Sequence, residues 1–344
     1  MAKPFLTLSF SGAGHLLPYH LGVASSINRV VQRQQQKKQG GASYEKLSSS
    51  PSRILPPIRA VAGSSSGAIA AATFSWMPHR IEEFANRFLS DGGRALDHLE
   101  ALLHDEERSQ MATQEKGANS DAPLHATMAN RLGSKGSQVR RPSLHVATTC
   151  CSDGCLRVFD FRPFDPLFRS ISSSWKTDEL LTVIKASCRI PASFHPVDLL
   201  DSGGFSYFEK FGFSTSSPTY PDGDGVRIDR LWYVDGAISA PAPPTPLDSM
   251  DWATRVIISP ISGSCDISNA DGTLTKNYRI SPDDATRRFL PFELKLRGGL
   301  MVRPSTQNLQ ALRTSMGMSG KQELTDWYHR GQEDGENWIE MKFR

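Results

Sequence analysis

The chain has 344 residues, of which 38% are hydrophobic and 22% are charged, so it can bury a sizeable globular core. Its formal net charge of +3 is too small to indicate nucleic acid as a partner. No apolar stretch approaches the ~20 residues of a membrane-spanning helix, and we expect no signal peptide at the N-terminus. The five cysteines form an odd set without framework or zinc spacing, which predicts reduced thiols, a cytoplasmic location and no metal site.

Strand-like and helix-like segments alternate along the chain. The predicted strands are Phe5–Phe10, Ile58–Ala62, Leu144–Thr149, Leu156–Phe161, Arg230–Val234 and Arg255–Ser259. The predicted helices are Leu17–Gln32, Ser66–Trp76, His79–Ser90, Arg94–His104 and Asp178–Ser187, with two more between Ser305 and Lys342. This alternation predicts a layered α/β domain with a mostly parallel central sheet.

Two polar stretches without periodicity interrupt this pattern, at about residues 32–53 and 105–141. Neither has enough apolar residues to fold alone, so we expect mobile insertions. We therefore predict one catalytic domain over residues 5–260. A partly helical C-terminal extension over residues 261–344 is expected to pack on it.

Three consecutive serines lie between two glycines, directly after the strand-like run Ile58–Ala62. The pattern G-x-S-x-G fits Gly63–Gly67 in one register, which makes Ser65 the candidate nucleophile. In such an elbow a sharp strand-to-helix turn exposes the central hydroxyl, and the next helix directs its first N–H groups at the site. Ser64 and Ser66 are expected to cap that helix or to satisfy backbone groups. The alternative is an ordinary Ser/Gly-rich turn.

A second glycine-containing turn, Ser11–Gly14, follows the first strand-like run and precedes a helix. Acyl chemistry needs donors for the developing oxyanion, and the successive backbone N–H groups of Gly12, Ala13 and Gly14 can form a concave nest for it. A dinucleotide-binding fingerprint would need a glycine where this chain has Leu17. The turn is therefore a candidate oxyanion hole, or else a plain strand–helix connection.

A nucleophilic serine needs a base, and two residues compete for this role. In an α/β-hydrolase triad the histidine follows the serine late in the chain, where His329 is available. The spacing around His329 is typical of a helix surface, and only one strand precedes the elbow, which counts against that fold. Asp235 ends the apolar run Leu231–Val234 and precedes a loop of small residues. A buried carboxylate there, with raised proton affinity, can take the proton of a serine directly.

Three motifs in this order resemble those of patatin-like phospholipases. They are SFSGAGHLLPYHLGVA (Ser9–Ala24), GSSSG (Gly63–Gly67) and VDGA (Val234–Ala237). In addition, ASCRIPASFHPV (Ala186–Val197) is similar to the family segment that precedes the aspartate. YHRGQEDGENWI (Tyr328–Ile339) resembles the C-terminal helix of the animal triglyceride-lipase branch.

The resemblance implies a three-layer α/β/α fold and a Ser–Asp dyad that hydrolyses fatty-acyl esters of phospholipids, galactolipids or acylglycerols through an acyl-enzyme. It implies no cofactor and no metal. Carried over by motif, Ser65 is the nucleophile, Asp235 the base, and the backbone of Gly12, Ala13 and Gly14 the oxyanion hole. Gly63 and Gly67 flank the nucleophile, and Gly236 and Ala237 complete the aspartate motif. The chain departs from the family in having Leu16-Leu17, where a further Gly, sometimes after Arg, is usual.

A lipid hydrolase needs contact with an interface, and the segment Arg287–Arg303 carries five cations against one acid, interleaved with apolar residues. This composition predicts peripheral contact with an anionic membrane or lipid-droplet surface, and a core element with solvated ends is the alternative. We therefore expect a lipid acyl hydrolase in the cytoplasm, peripherally associated with its lipid substrate. A Ser–His–Asp esterase and a catalytically silent lipid-binding scaffold of the same fold are the other hypotheses.

Overall fold

The computed structural model describes residues 3–39, 54–91, 93–118, 141–162, 177–194, 219–264, 277–282 and 293–343. The strands in this part of the chain are β1 (Phe5–Phe10), β2 (Ile58–Ser64), β3 (Ser143–Cys150), β4 (Leu156–Phe161), β5 (Val226–Ile228), β6 (Leu231–Asp235), β7 (Ala253–Ile258), β8 (Asn277–Ile280), β9 (Leu294–Lys295) and β10 (Met301–Val302). The α-helices are α1 (Leu17–Gln39), α2 (Ser66–Trp76), α3 (Ile81–Asp91), α4 (Ala95–Ala118), α5 (Thr177–Ser187), α6 (Thr306–Ser315) and α7 (Lys321–Phe343).

The central sheet has eight strands within these residues, in the order β5-β6-β3-β2-β1-β7-β8, and β4 pairs with β3 outside this path. Strands β3, β2, β1, β7 and β8 pair in parallel. In contrast, β4 and β6 are antiparallel to β3, and β5 is antiparallel to β6. Helices flank this mixed sheet, so the predicted three-layer α/β/α fold with a mostly parallel sheet is confirmed.

Strand β1 lies inside the sheet between β2 and β7, and all six of its residues are buried, as expected for a parallel strand covered on both faces. Its two polar residues are satisfied by the segment that follows β6. The Thr7 hydroxyl donates to Asp248 Oδ1 at 2.5 Å, and the Ser9 hydroxyl donates to the Pro243 carbonyl at 2.7 Å. These bonds fasten that segment to the centre of the sheet.

Two helices are longer than the sequence predicts. Helix α1 continues to Gln39 and α4 to Ala118, so residues 32–39 and 105–118 are helical rather than parts of mobile insertions. These extensions are rich in Gln, Glu, Lys and Arg, which favour helix without an apolar face, so hydrophobic periodicity does not detect them. The rest of both polar stretches lies outside the described residues.

The chain after residue 260 joins the same layers. Strand β8 extends the sheet beside β7, and α7 packs along α1. An added Cβ at Gly22 would lie 2.1 Å from the Tyr328 carbonyl oxygen, and one at Gly331 would lie 2.2 Å from the Tyr19 carbonyl oxygen. The two helix backbones therefore approach as closely as glycine allows. The Tyr19 hydroxyl also donates to Asp334 at 2.8 Å.

The predicted interfacial segment is only partly described, since residues 287–292 lie outside the described ranges. In the remainder, β9 and β10 form a hairpin in which Leu300 is buried with Ala242 and Ile257. Arg303 pairs with Glu293 at 3.2 Å. These contacts favour the structural alternative for residues 293–303. Among the described helices, none combines the length and the apolar character needed to cross a membrane.

Candidate active site

Strand register brings the candidate nucleophile and the candidate base to one level of the sheet. Ser64, the last residue of β2, pairs with Ala147 on β3, and Asp235, the last residue of β6, pairs with the next β3 residue, Thr148. Because β4 pairs along the other edge of β3, β2 and β6 share one edge, and the terminal carboxylate of β6 lies next to the start of the turn at Ser65.

Ser65 occupies a sharp turn between β2 and α2. Its φ of 52° and ψ of −131° lie in a region that non-glycine residues seldom adopt, as a nucleophile elbow requires. An added Cβ at Gly63 would lie 2.2 Å from the Gly67 carbonyl oxygen, so the turn can close only with glycine at this position. The neighbouring Ser64 hydroxyl donates to the Pro241 carbonyl at 2.9 Å, the backbone-satisfying role expected for it.

The strained backbone of Ser65 is supported by a residue that sequence reasoning missed. The Ser65 N–H donates to the Ser187 hydroxyl at 2.9 Å, and this hydroxyl donates in turn to the Ala147 carbonyl at 2.7 Å. The Gly236 N–H donates to the Ser187 carbonyl at 3.2 Å. Ser187, which is fully buried, therefore links the elbow, β3 and the aspartate motif. The sequence signal was its place in the family-like segment Ala186–Val197.

Asp235 is 4% exposed, and its carboxylate accepts a hydrogen bond at 2.8 Å from the Ala237 N–H. Burial raises the pKa of Asp235 to about 6, although the Ala237 N–H and the nearby Ser65 hydroxyl stabilise its charged form and oppose this rise. A carboxylate of this kind is largely ionised at pH 7 and still binds a proton more readily than an exposed aspartate. The arrangement is suited to accept the proton of the serine.

The turn after β1 lies directly against both motifs. An added Cβ at Gly12 would lie 2.4 Å from Ala237 Cβ and 3.4 Å from Ser65 Cβ. The Gly12 N–H itself donates to the Pro241 carbonyl at 2.8 Å, so it is not free to bind an oxyanion as predicted. The Ala13 N–H makes a longer bond of 3.2 Å to the Ser66 hydroxyl, and Gly14 is exposed. The N–H groups of Ala13 and Gly14 are therefore the candidate donors that remain.

Histidines do not contribute to this arrangement in the part of the chain that the structure describes. His329 is exposed on α7, with its ring 3.3 Å from the Gln332 amide oxygen, and no described histidine hydrogen-bonds to Ser65 or Asp235. His20 is fully buried against Phe10, and this burial lowers the pKa of its imidazole to about 3. The described residues also include no cluster of three His, Cys, Asp or Glu side chains that could hold a metal ion.

Comparison with known proteins gives one match to a family model. This model, described as patatin-like phospholipase, matches residues 8–248. No curated protein sequence matches the chain.

Solved structures provide distant similarities. ExoU, in the heterodimeric ExoU–SpcU complex from the type III secretion system of Pseudomonas aeruginosa, is 14% identical, with a TM-score of 0.40 over 99% of this chain and 52% of that chain. VipD from Legionella pneumophila is 10% identical, with a TM-score of 0.35 over 95% of this chain and 67% of that chain. The chain spans about half the length of the ExoU chain that it matches.

The matched span includes the turn at Gly12–Gly14, the elbow at Ser65 and the aspartate at Asp235. Since the family model covers well over half of the 344 residues, the chain belongs to the patatin-like phospholipase family.

Proposed function

We propose that this protein is a lipid acyl hydrolase in which Ser65 attacks the acyl ester and Asp235 accepts the serine proton. The observation that carries the proposal is the strained elbow at Ser65, which sets the Ser65 side chain beside the buried Asp235 carboxylate. The family to which the chain belongs supports the substrate class, since its description names phospholipases. The Ser–His–Asp alternative has no comparable support among the described residues, because His329 is exposed and bonded within its own helix.

In the proposed first step, the Ser65 proton passes to Asp235 while Oγ forms a bond to the ester carbonyl carbon. The carbonyl oxygen becomes an oxyanion, which would accept hydrogen bonds from the Ala13 and Gly14 N–H groups, and the positive end of α2 would add to their stabilising effect. Asp235 then returns the proton to the leaving alcohol as the ester bond breaks, which leaves an acyl group on Ser65. A water molecule, deprotonated by Asp235, releases the fatty acid and restores the serine.

The proposed substrates are fatty-acyl esters of phospholipids, galactolipids or acylglycerols. The proposal includes peripheral action at a membrane or lipid-droplet surface in the cytoplasm, because long-chain acyl lipids are held in such surfaces. Membership of the animal triglyceride-lipase branch belongs to the same proposal and rests on the resemblance of Tyr328–Ile339. No cofactor is required for this chemistry.

Covalent labelling with a fluorophosphonate, read as intact mass, tests the nucleophile. Wild type, Ser64→Ala and Ser66→Ala should gain one label, whereas Ser65→Ala should gain none and should lose hydrolysis of a short-chain nitrophenyl ester. Labelling that survives in Ser65→Ala and disappears in a neighbour would assign another serine. A folded wild-type protein that neither labels nor hydrolyses the ester would instead support a catalytically silent scaffold.

A further inference from the structure

Helix α6 has the reverse of the usual amphipathic arrangement. Its inward side consists of Asn308, Ala311 and Thr314, which are small or polar and buried. Its outward side carries large apolar residues at helical spacing, continued into the next turn, with exposed fractions of 50–59%. This surface, called here the outer face of α6, consists of Leu309, Leu312, Met316 and Met318. Four large apolar residues exposed within ten positions form a patch, unlike the isolated ones that every protein surface has.

Specific hydrogen bonds fix this orientation. The Asn308 side chain accepts from the Ser262 N–H at 2.8 Å and donates to the Ser262 carbonyl at 2.9 Å and to the Arg303 carbonyl at 2.6 Å. At the other end of the helix, the Thr314 hydroxyl donates to Glu323 at 2.7 Å. Rotating α6 to bury its leucines would break these bonds and leave buried polar groups without partners, which is costly. The apolar side is therefore held toward solvent.

The outer face of α6 is next to the candidate oxyanion hole. The Ser315 carbonyl lies so close to Gly14 that an added Cβ there would be 2.2 Å from its oxygen. Gly317 lies against the His15 ring, since an added Cβ at Gly317 would be 3.1 Å from His15 Nε2. A surface that bound to Met316 and Met318 would therefore lie beside the turn that is proposed to receive the acyl carbonyl.

The charges around the outer face of α6 indicate which kind of surface would bind to it. Between Thr306 and Gln322 the chain carries two cations, Arg313 and Lys321, and no acid, and both cations are exposed. The next acid, Glu323, is held by the Thr314 hydroxyl. A second copy of this chain would bring like cations together across the contact, whereas an anionic lipid surface offers both apolar chains and negative headgroups.

We propose that the outer face of α6 docks on an anionic lipid surface and presents the Ser65 site to it. This inference rests on the proposed lipid hydrolase function, and it names a surface different from the segment Arg287–Arg303. The four apolar side chains would insert at the headgroup boundary, and Arg313 and Lys321 would face the phosphates of the headgroups.

Vesicle co-sedimentation of the full chain tests the docking surface. All variants carry Ser65→Ala, so that binding is measured without turnover, on phosphatidylcholine vesicles with and without phosphatidylserine. Replacing Leu309, Leu312 and Met316 together with Gln should weaken binding by ~10-fold or more, because three apolar side chains no longer enter the lipid. The matched control replaces Ile54, Leu231 and Met341 with Gln, which are 68%, 43% and 72% exposed elsewhere, and should stay within about twofold of the parent.

A second variant tests the charges separately. Arg313→Gln with Lys321→Gln should lose about fivefold per cation on vesicles with phosphatidylserine and little on phosphatidylcholine alone. Unchanged binding in the triple variant, or an equal loss in the control, would overturn the inference. A wild-type dimer that the triple variant converts to a monomer, with vesicle binding kept, would assign the face to self-association and overturn it too. Loss of esterase activity in the wild type would contradict only the proposed function, since binding is read without catalysis.

Discussion

Asp235 is the residue whose chemistry depends most directly on its surroundings. Burial raises the pKa of its carboxyl group to about 6, so the ionised form that the proposed mechanism requires is lost as pH falls through this value. We expect kcat/KM for a short-chain nitrophenyl ester to rise with pH to a plateau, with a midpoint near the same value. Initial rates across buffers of constant ionic strength provide the measurement.

Asp235→Asn removes the proton acceptor and keeps the shape of the side chain. Turnover should fall by about 10²–10⁴-fold, and the rise of kcat/KM with pH should vanish. His329→Ala serves as the control and should keep both the turnover rate and the rise of kcat/KM with pH, because that ring lies exposed on α7. An inactive His329→Ala beside an active Asp235→Asn would restore the Ser–His–Asp hypothesis.

The raised pKa of Asp235 also predicts whether Asp235→Asn stabilises or destabilises the folded protein. The pKa of Asp235 is raised from 3.8 in its ordinary state to about 6 in the folded protein, so folding favours the protonated form. The wild type therefore loses stability as pH rises from about 4 to about 6. Above that range Asp235→Asn should be more stable than wild type by up to roughly 3 kcal/mol, and the difference should shrink toward pH 4. Urea unfolding at pH 8 and pH 4 tests this, and a pH-independent difference would contradict it.

Ser187 should position the nucleophile without touching substrate. Ser187→Ala leaves the buried Ser65 N–H without an acceptor, which should cost about 1–3 kcal/mol of stability and slow fluorophosphonate labelling and kcat, with KM little changed. Ser75→Ala is the matched control, since that buried hydroxyl also donates to a backbone carbonyl, that of Pro142. It should lose stability and keep the labelling rate. Equal labelling rates in both variants would reduce Ser187 to a structural role.

The candidate site illustrates what local sequence can and cannot indicate. Ser65 and Asp235 were predictable because each lies at the end of an apolar run, next to small residues that permit a tight turn. The bond from the Ser65 N–H to the Ser187 hydroxyl joins residues 122 positions apart, and the bond from the Gly12 N–H to the Pro241 carbonyl depends on where a distant loop lies. Such pairings become visible only when the strands have been placed in register.

At the level of whole elements, strands with continuous apolar runs were predicted to within one or two residues, as for β1 and β2. The short strands β5 and β8 were not, because each has three or four residues and forms by pairing with a neighbour already in the sheet. Helices α1 and α4 extend beyond their predicted ends for a different reason, because intrinsic helix propensity continues a helix past its apolar face.

The close contact between α1 and α7 should make the protein sensitive to a larger side chain at Gly331. Gly331→Ala places a Cβ 2.2 Å from the Tyr19 carbonyl oxygen, so the two helices must separate, and we expect a loss of about 1–3 kcal/mol. Gly223→Ala is the control because no atom lies within 4 Å of an added Cβ there, and it should change stability by less than about 0.5 kcal/mol. Thermal transitions of both variants provide the comparison. A Gly331→Ala protein as stable as wild type would mean that the helices are not in close contact in solution.

Across the whole molecule, sheet topology accounts for the position of the site. The chain leaves β1 to form β2 on one side, and the later strand β7 occupies the other side, so the order of strands changes direction at β1. Ligands of open α/β sheets bind at the carboxyl ends of strands beside such a point, where the connections diverge and leave a crevice. The Ser11–Gly14 turn and the elbow lie at these ends, next to each other, because Phe10 pairs with Gly63.

The same topology predicts that the C-terminal residues unfold together with the rest of the protein. Strand β8 shares the sheet, and Trp327 and Trp338 of α7 are each 3% exposed in the main core. Removing α7 would expose Tyr19 and Val23, which are fully buried beside it, and would lose the burial of Trp327 and Trp338; at ~1.5–3 kcal/mol per side chain this approaches the whole stability of an ordinary domain. We therefore expect one transition in urea, with coincident midpoints from tryptophan fluorescence, far-UV circular dichroism and esterase activity. A chain truncated after Ser319 should fail to give folded protein. An early fluorescence transition with activity retained, or an active truncated chain, would instead make residues 321–343 a separate appendage to the catalytic domain.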